Sequence, residues 1–393
     1  METYDVVIIG GAIIGSAIAY FLSQLSQFNG RILVIEKDPS YATASTALSA
    51  ASIRMQFSNR VNVLMSKFGG EFIQNFDQQY AADPDIADLS FIQNGYLFLA
   101  ETSEQREILT RNAQTQRAAG AETELLTRAE LSGKFAMLSL DDNCLGAWGP
   151  RGEGWFDNMG LLNGFRTLAK RAGVTYLQDE VIALSLAKNR VSTAHLASGA
   201  QVSGVDFVNA AGPRAGQIAR MAGIDLPVEA RKRTTFLFQA QTPPPSDMPL
   251  VVDHSGVYFR PEGQMWICAM HPVDDPEVDH DDFQPRYQEF DDIIWPKLAA
   301  RSKQFEAIKL RRMWAGHYAY NTLDQNAIIG RHPTVANMIL ANGFSGHGLQ
   351  QAPAVGRAVS ELICFNQFRS LDLGDLSFER VVNCRPFFEY NIV

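Results

Sequence analysis

Cysteine is scarce in this chain: four in 393 residues, at Cys144, Cys268, Cys364 and Cys384, with no C-x-x-C pair. That spacing encodes neither a zinc site nor a disulfide framework, so no metal is expected and a reducing compartment fits best. Excess positive charge is lacking too. Lys and Arg total 34 against 43 Asp and Glu, giving a net charge of -9, and no basic run is interleaved with aromatics. A nucleic-acid partner is therefore disfavoured. Long hydrophobic runs are also missing. The most apolar stretch, VVIIGGAIIGSAIAYFL from Val6, is marginal for a bilayer, is broken by Gly10, Gly11 and Gly15, and follows Glu2 and Asp5 instead of a basic flank. It reads as neither anchor nor export signal, so no transmembrane segment and a cytoplasmic location are expected. With 46% hydrophobic residues and few obvious linkers, the chain is long enough for two domains sharing large cores.

What is present begins with that same stretch. YDVVIIG is a β-branched run ending in glycine, and AIIGSAIAYFLSQL continues at helical spacing. Strand, tight turn and helix in that order present free N–H groups and a dipole to a pyrophosphate. The next run, RILVIEK, ends in Glu36, about twenty residues beyond the last motif glycine, where a carboxylate can accept ribose hydroxyls. Gly10 and Gly15 fill the outer places of G-x-G-x-x-G, while the middle place is Ala12, whose methyl is small enough to be tolerated.

Two further segments repeat the pattern. VDFVNAAGPRAGQIA runs from a strand through Ala210, Ala211 and Gly212 into a helix, and ANMILANGFSGHGLQQAPAVGRAVSELI passes Gly343, Gly346 and Gly348 into a long one. Small residues at three distant strand ends suggest one large ligand lying across the sheet.

Together with ASTALSAASIR, WAGHYAYNTLDQNAIIG and the tail EYNIV, these segments resemble the FAD-dependent oxidoreductases of the D-amino-acid oxidase and sarcosine oxidase superfamily. Within it, they are most similar to the FAD-dependent oxidoreductase-domain branch that includes a mitochondrial complex I assembly factor. The resemblance implies an α/β fold: a Rossmann-type FAD-binding lobe (1–85, 150–225 and 320–380) and a discontinuous α+β substrate lobe on a mostly antiparallel sheet (86–149 and 226–319), with a tail at 381–393. Strand-like runs such as SFIQNGYLFLA, RKRTTFLFQA and QMWICAM read as the second lobe independently. It further implies FAD, held without a covalent bond by Gly10, Ala12, Ile13, Ile14 and Gly15; by Glu36 and Lys37; by Ser45, Thr46, Ser49 and Ala50; by Val181, Ala211, Gly212 and Gly316; and by Gly343, Gly346, His347, Gly348, Leu349 and Gln350. His317 falls near the place of a covalent attachment in sarcosine oxidases and is kept as an outside candidate. The PPP from Pro243 and the DDPEVDHDD stretch from Asp274 read as solvated loops without a chemical role.

The activity implied is oxidation of the C–N bond of an amino acid or N-alkyl amino acid by hydride transfer to flavin N5. Arg54 aligns with an arginine that grips the substrate carboxylate, and Tyr258 and His271 with residues placed over the substrate. Two lysines of the oxygen-using sarcosine oxidases are replaced, by Ile267 and Gln350, which favours a dehydrogenase with a separate electron acceptor over an oxidase. An FAD-bearing assembly protein with little turnover and a 2-hydroxy-acid dehydrogenase stay open as alternatives.

Overall fold

The structure, a computed structural model, describes residues 2–391, so Met1 and the last two residues of the expected tail lie outside it. The opening β-branched run forms the strand Glu2–Ile9. It pairs in parallel with Ile32–Glu36 on one side and Gln201–Asn209 on the other. Thr175–Gln178 extends the sheet at one end, and Met338–Asn342 followed by antiparallel Ile328–Arg331 at the other. The antiparallel strands Val181–Ala187 and Arg190–Leu196 join through Gln201–Asn209 and complete eight strands. Such a largely parallel sheet must be covered on both faces. Helices Ile13–Gln24, Arg60–Tyr80, Asn158–Arg171 and Gly348–Phe365 cover one face with a core that includes Ile18, Leu22, Met65, Phe76, Phe165 and Val355. The first and last of these approach so closely that a Cβ on Gly356 would lie 2.8 Å from the Ala17 backbone.

A second eight-stranded sheet orders its strands Lys309–Asn321, Val228–Gln239, Met265–Met270, Val257–Glu262, Leu250–Val252, Tyr96–Ala100, Leu145–Gly149 and Glu124–Thr127. All its pairings are antiparallel except Leu250–Val252 with Tyr96–Ala100. Phe236, Phe238, Phe259, Trp266 and Phe305 fill its core. The fold is mixed α/β.

Candidate active site

One long cleft is lined by residues of both sheets. At the first sheet's carboxyl edge, Gly10 (φ +98°) makes the turn between strand and helix. A Cβ on Gly15 would fall 1.9 Å from the Gly10 carbonyl oxygen, so the helix can start this tightly only with glycine there. No side chain caps this helix at Ala12, and none caps the last helix at His347, so both ends keep backbone N–H groups for a ligand. Ala12, Ile13 and Ile14 line the cleft, as do Gly346, His347, Gly348, Leu349 and Gln350. Glu36 also faces it, its carboxylate accepting from Gly11 N (2.8 Å) and Asp38 N (2.9 Å). Open space surrounds the Cβ position of Gly212, a lining residue at φ +56°.

The acidic loop is largely exposed, as its sequence reads, but it is anchored rather than free. Residues 272–286 lie along the cleft as a strap held by ion pairs. Asp275 grips Arg233 through both oxygens (2.6 and 2.8 Å), Asp281 pairs with Arg214 (2.6 Å) and Asp282 with Lys232 (2.7 Å). Backbone and side-chain bonds, Val278 N to Ala230 O and Arg286 N to Thr234 Oγ1, stitch it to the neighbouring strand. The strap brings His280 and Phe283 into the wall. Phe283 stacks on His317 at 4.3 Å, and His317 Nε2 donates to the Asp282 carbonyl (2.8 Å). That imidazole anchors the strap, and burial lowers its pKa.

Tyr96, Leu250, Tyr258, Thr235, Arg233 and Tyr318 line the same cleft as Arg54. Burial pushes the three phenols up, Tyr96 to about 12 and Tyr258 well above its ordinary value, so all stay neutral. Arg54 is 3% exposed. Its guanidinium lies over the Phe57 ring at 4.2 Å, donates to the carbonyls of Gln56 and Asn391 (the latter 2.6 Å from Nη2), and comes within 3.5 Å of His347 Nε2. Burial, and then the Arg54 charge, hold His347 well below the ordinary imidazole range, which keeps it neutral. Among the described residues, the other buried arginines each hold a carboxylate: Arg233 with Asp275, Arg260 with Glu262, Arg301 with Asp253 and Glu101, and Arg380 with Asp324. Arg54 holds none. The closest acidic neighbours act through intermediaries. Glu153, wholly buried, accepts from Met55 N (2.7 Å) and Gln56 Nε2 (2.9 Å), and burial raises it to about 7. A desolvated cation oriented only by neutral acceptors retains its full charge for an anion from the cleft.

Most residues singled out from sequence converge on this cleft: besides those above, Lys37, Ser45, Thr46, Ser49, Ala50, Val181, Ala211, Gly316 and Tyr258 line it. Three do not line it. His271 is not in the wall. The strand stops at Met270 because Pro272 cannot extend it, and the imidazole, its side chain 42% exposed, bonds the Pro272 carbonyl and stands 3.6 Å from Asp275. Gly343 is a turn residue (φ +72°) packed against Val228 and Asn321, and Gly15 shapes the turn from beneath without lining the cleft. Ile267 is buried opposite Leu237 and Arg260. Arg260 bonds the Ala50 carbonyl (2.8 Å), so a cation does approach this region, although Glu262 engages its charge. Sequence reasoning missed Arg214, Arg233, Thr235, His280, Phe283 and Tyr318.

A cleft with two uncapped helix starts, an acidic group at the end of the second strand and open space beside Gly212 fits a dinucleotide, and the same cleft includes Arg54. These are the features of an FAD-dependent oxidoreductase. The chain belongs to the family described as DAO, FAD dependent oxidoreductase, which matches residues 5–362. It is 40% identical to FAD-dependent oxidoreductase domain-containing protein 1 of Bos taurus, over 96% of this chain and 85% of that one. Among solved structures it is similar to L-proline dehydrogenase from P. horikoshii, with a TM-score of 0.87 and 27% identity over 98% of this chain and 100% of that one. Glycine oxidase from Geobacillus kaustophilus has the same fold, with a TM-score of 0.81 and 21% identity over 96% and 98% of the two chains. No helix among the described residues is long and apolar enough to cross a membrane.

Proposed function

We propose that this protein oxidises the C–N bond of an amino acid or N-alkyl amino acid, the first sheet carrying the cofactor lobe and the second the substrate lobe. The observation that carries the reading is Arg54: a buried guanidinium without a carboxylate partner, facing the cleft between aromatic walls. A guanidinium fork matches a carboxylate bidentately, and the anion supplies the charge this site lacks. Tyr96, Tyr258 and Tyr318 hold the rest of a small substrate in an apolar, water-poor compartment. His347 stays neutral beside Arg54, which leaves the guanidinium as the positive charge of this pair. FAD, held by the glycine turns, Glu36 and the two helix starts, supplies two-electron oxidation. The substrate loses a hydride from carbon and a proton from nitrogen, and water hydrolyses the resulting imine.

We favour a dehydrogenase with a separate electron acceptor. Ile267 offers no charge, and the nearby Arg260 is engaged by Glu262. The test is anaerobic bleaching of the yellow protein by amino acids, N-alkyl amino acids and 2-hydroxy acids, with the native chain and Arg54→Lys. Arg54→Lys should raise the substrate concentration needed while leaving FAD content intact, and reduced protein should react faster with a quinone dye than with air. Flavin loss on that substitution, or bleaching by hydroxy acids alone, would overturn the amine reading.

A further inference from the structure

We propose that the segment Phe387–Asn391 belongs to the substrate site, with Glu389 and Asn391 positioning Arg54 to receive a carboxylate. The inference rests on the reading of Arg54 given above and adds residues far from it in sequence. The segment alternates: Phe388 and Tyr390 are exposed, whereas Glu389 and Asn391 are buried. Its start is fixed by Phe387 N donating to Asp324 Oδ2 (2.9 Å). Glu389 then takes five donors. Oε1 accepts from Ser58 N and Ser58 Oγ (both 2.6 Å) and from Asn391 N (3.1 Å); Oε2 accepts from Asn59 N (3.2 Å) and Asn62 Nδ2 (2.9 Å).

This clamp ties the segment to the chain just beyond Arg54 and delivers Asn391. The Asn391 carbonyl accepts from Arg54 Nη2 (2.6 Å), and its side-chain amide donates to the Gln56 carbonyl (2.6 Å), the same oxygen that accepts from Arg54 Nη1. Two of the guanidinium's five N–H groups are thus directed by neutral oxygens, one supplied by Asn391 and the other by Gln56 in a position that Asn391 braces. A carboxylate in either place would orient Arg54 equally well but would cancel the charge a substrate needs. Glu389 does its work at a remove: its charge is spent on five donors around residues 58–62 and on its own segment, and it makes no bond to Arg54. Asn391 and Glu389 are positioning residues, acting through Arg54.

The test titrates the FAD-loaded protein with benzoate, and with benzamide as its uncharged counterpart, following the perturbation of the flavin absorbance. Glu389→Gln places an amide N–H against donors, and a chain stopped after Pro386 lacks the segment. Either change should weaken benzoate about tenfold, the loss of one well-placed charge-assisted contact, with benzamide affinity and FAD content unchanged. In an Arg54→Met background, adding Glu389→Gln should cost nothing further. Unaltered benzoate binding in Glu389→Gln, or equal weakening of benzamide, overturns the proposal, and the point variant decides if the shortened chain does not fold. If Arg54→Met alone leaves benzoate unaffected, the reading of Arg54 fails. If Arg54→Met weakens benzoate and Glu389→Gln does not, only the role of the segment fails.

Discussion

Replacing Glu153 by glutamine should stabilise the folded protein at neutral and alkaline pH, and the gain should vanish on acidification. The carboxyl lies fully buried beside the Arg54 segment, and burial raises its pKa from 4.5 to about 7, against the opposing pull of the Gln56 and Met55 bonds and of Arg54. Between those two values the folded chain holds a proton that the unfolded chain has released. Stability therefore falls as pH rises through this window, by about 3 kcal/mol in all, with the loss complete above 7 and absent below 4.5. Glutamine has nearly the same shape and cannot ionise, so the variant should lack this slope. Its amide has one oxygen where the carboxyl has two, so one of the donors Met55 N and Gln56 Nε2 loses its acceptor at every pH, an offset of about 1 kcal/mol. The net gain near pH 8 should be roughly 2 kcal/mol, turning into a small loss at pH 5. Urea unfolding of both FAD-loaded proteins at pH 5, 6, 7 and 8, at one FAD concentration, measures the difference. Parallel pH profiles, or a native protein that gains stability relative to the variant as pH rises, would refute the reasoning.

Glu36→Gln should weaken FAD retention about tenfold by removing the charged acceptor at the end of the second strand. The check is flavin lost on dialysis, and unchanged retention would take Glu36 out of the site. Asp275→Asn should unlatch the strap from Arg233, speeding FAD release and making it less sensitive to salt than in the native protein, because one of three ion pairs has gone. Stopped-flow capture of released FAD by an apo-flavoprotein at low and high ionic strength would show this, and identical salt dependence in both proteins would count against a latch. Acid precipitation should leave a colourless pellet, since His317 is committed to Asp282 and Phe283 rather than to the cofactor.

The parts of the site legible in the sequence were those whose signal is local. Gly10, Gly15 and Glu36 stand at spacings that a strand, a turn and a helix impose, so reading along the chain was enough. Arg54 was reached through resemblance, but its distinguishing property, having no acidic partner, exists only once every other buried arginine is seen with its own. His271 lies one residue past the end of its strand, at a position that the following proline closes. The anchoring of the acidic loop was hidden for the opposite reason. Asp275, Asp281 and Asp282 have no cations beside them in sequence, and Arg214, Lys232 and Arg233 meet them only when the second sheet forms. Glu153 gave no signal, since a lone glutamate between glycines looks the same whether it is solvated or buried, and Glu389 entered only as the first residue of the tail EYNIV, with no role read for it.

The strand order of the first sheet has a consequence for biosynthesis. Glu2–Ile9 leaves the ribosome well before its neighbour Gln201–Asn209, and that strand in turn awaits Met338–Asn342. The helix that covers it packs on Gly348–Phe365, which emerges later still. An apolar strand and an apolar helix must therefore each remain without one of their partners until those later segments have been made, a situation in which folding is slow and exposed edges invite aggregation. Yield of this protein in a heterologous host should respond more to chaperone capacity and to the speed of translation than to the stability of the finished fold.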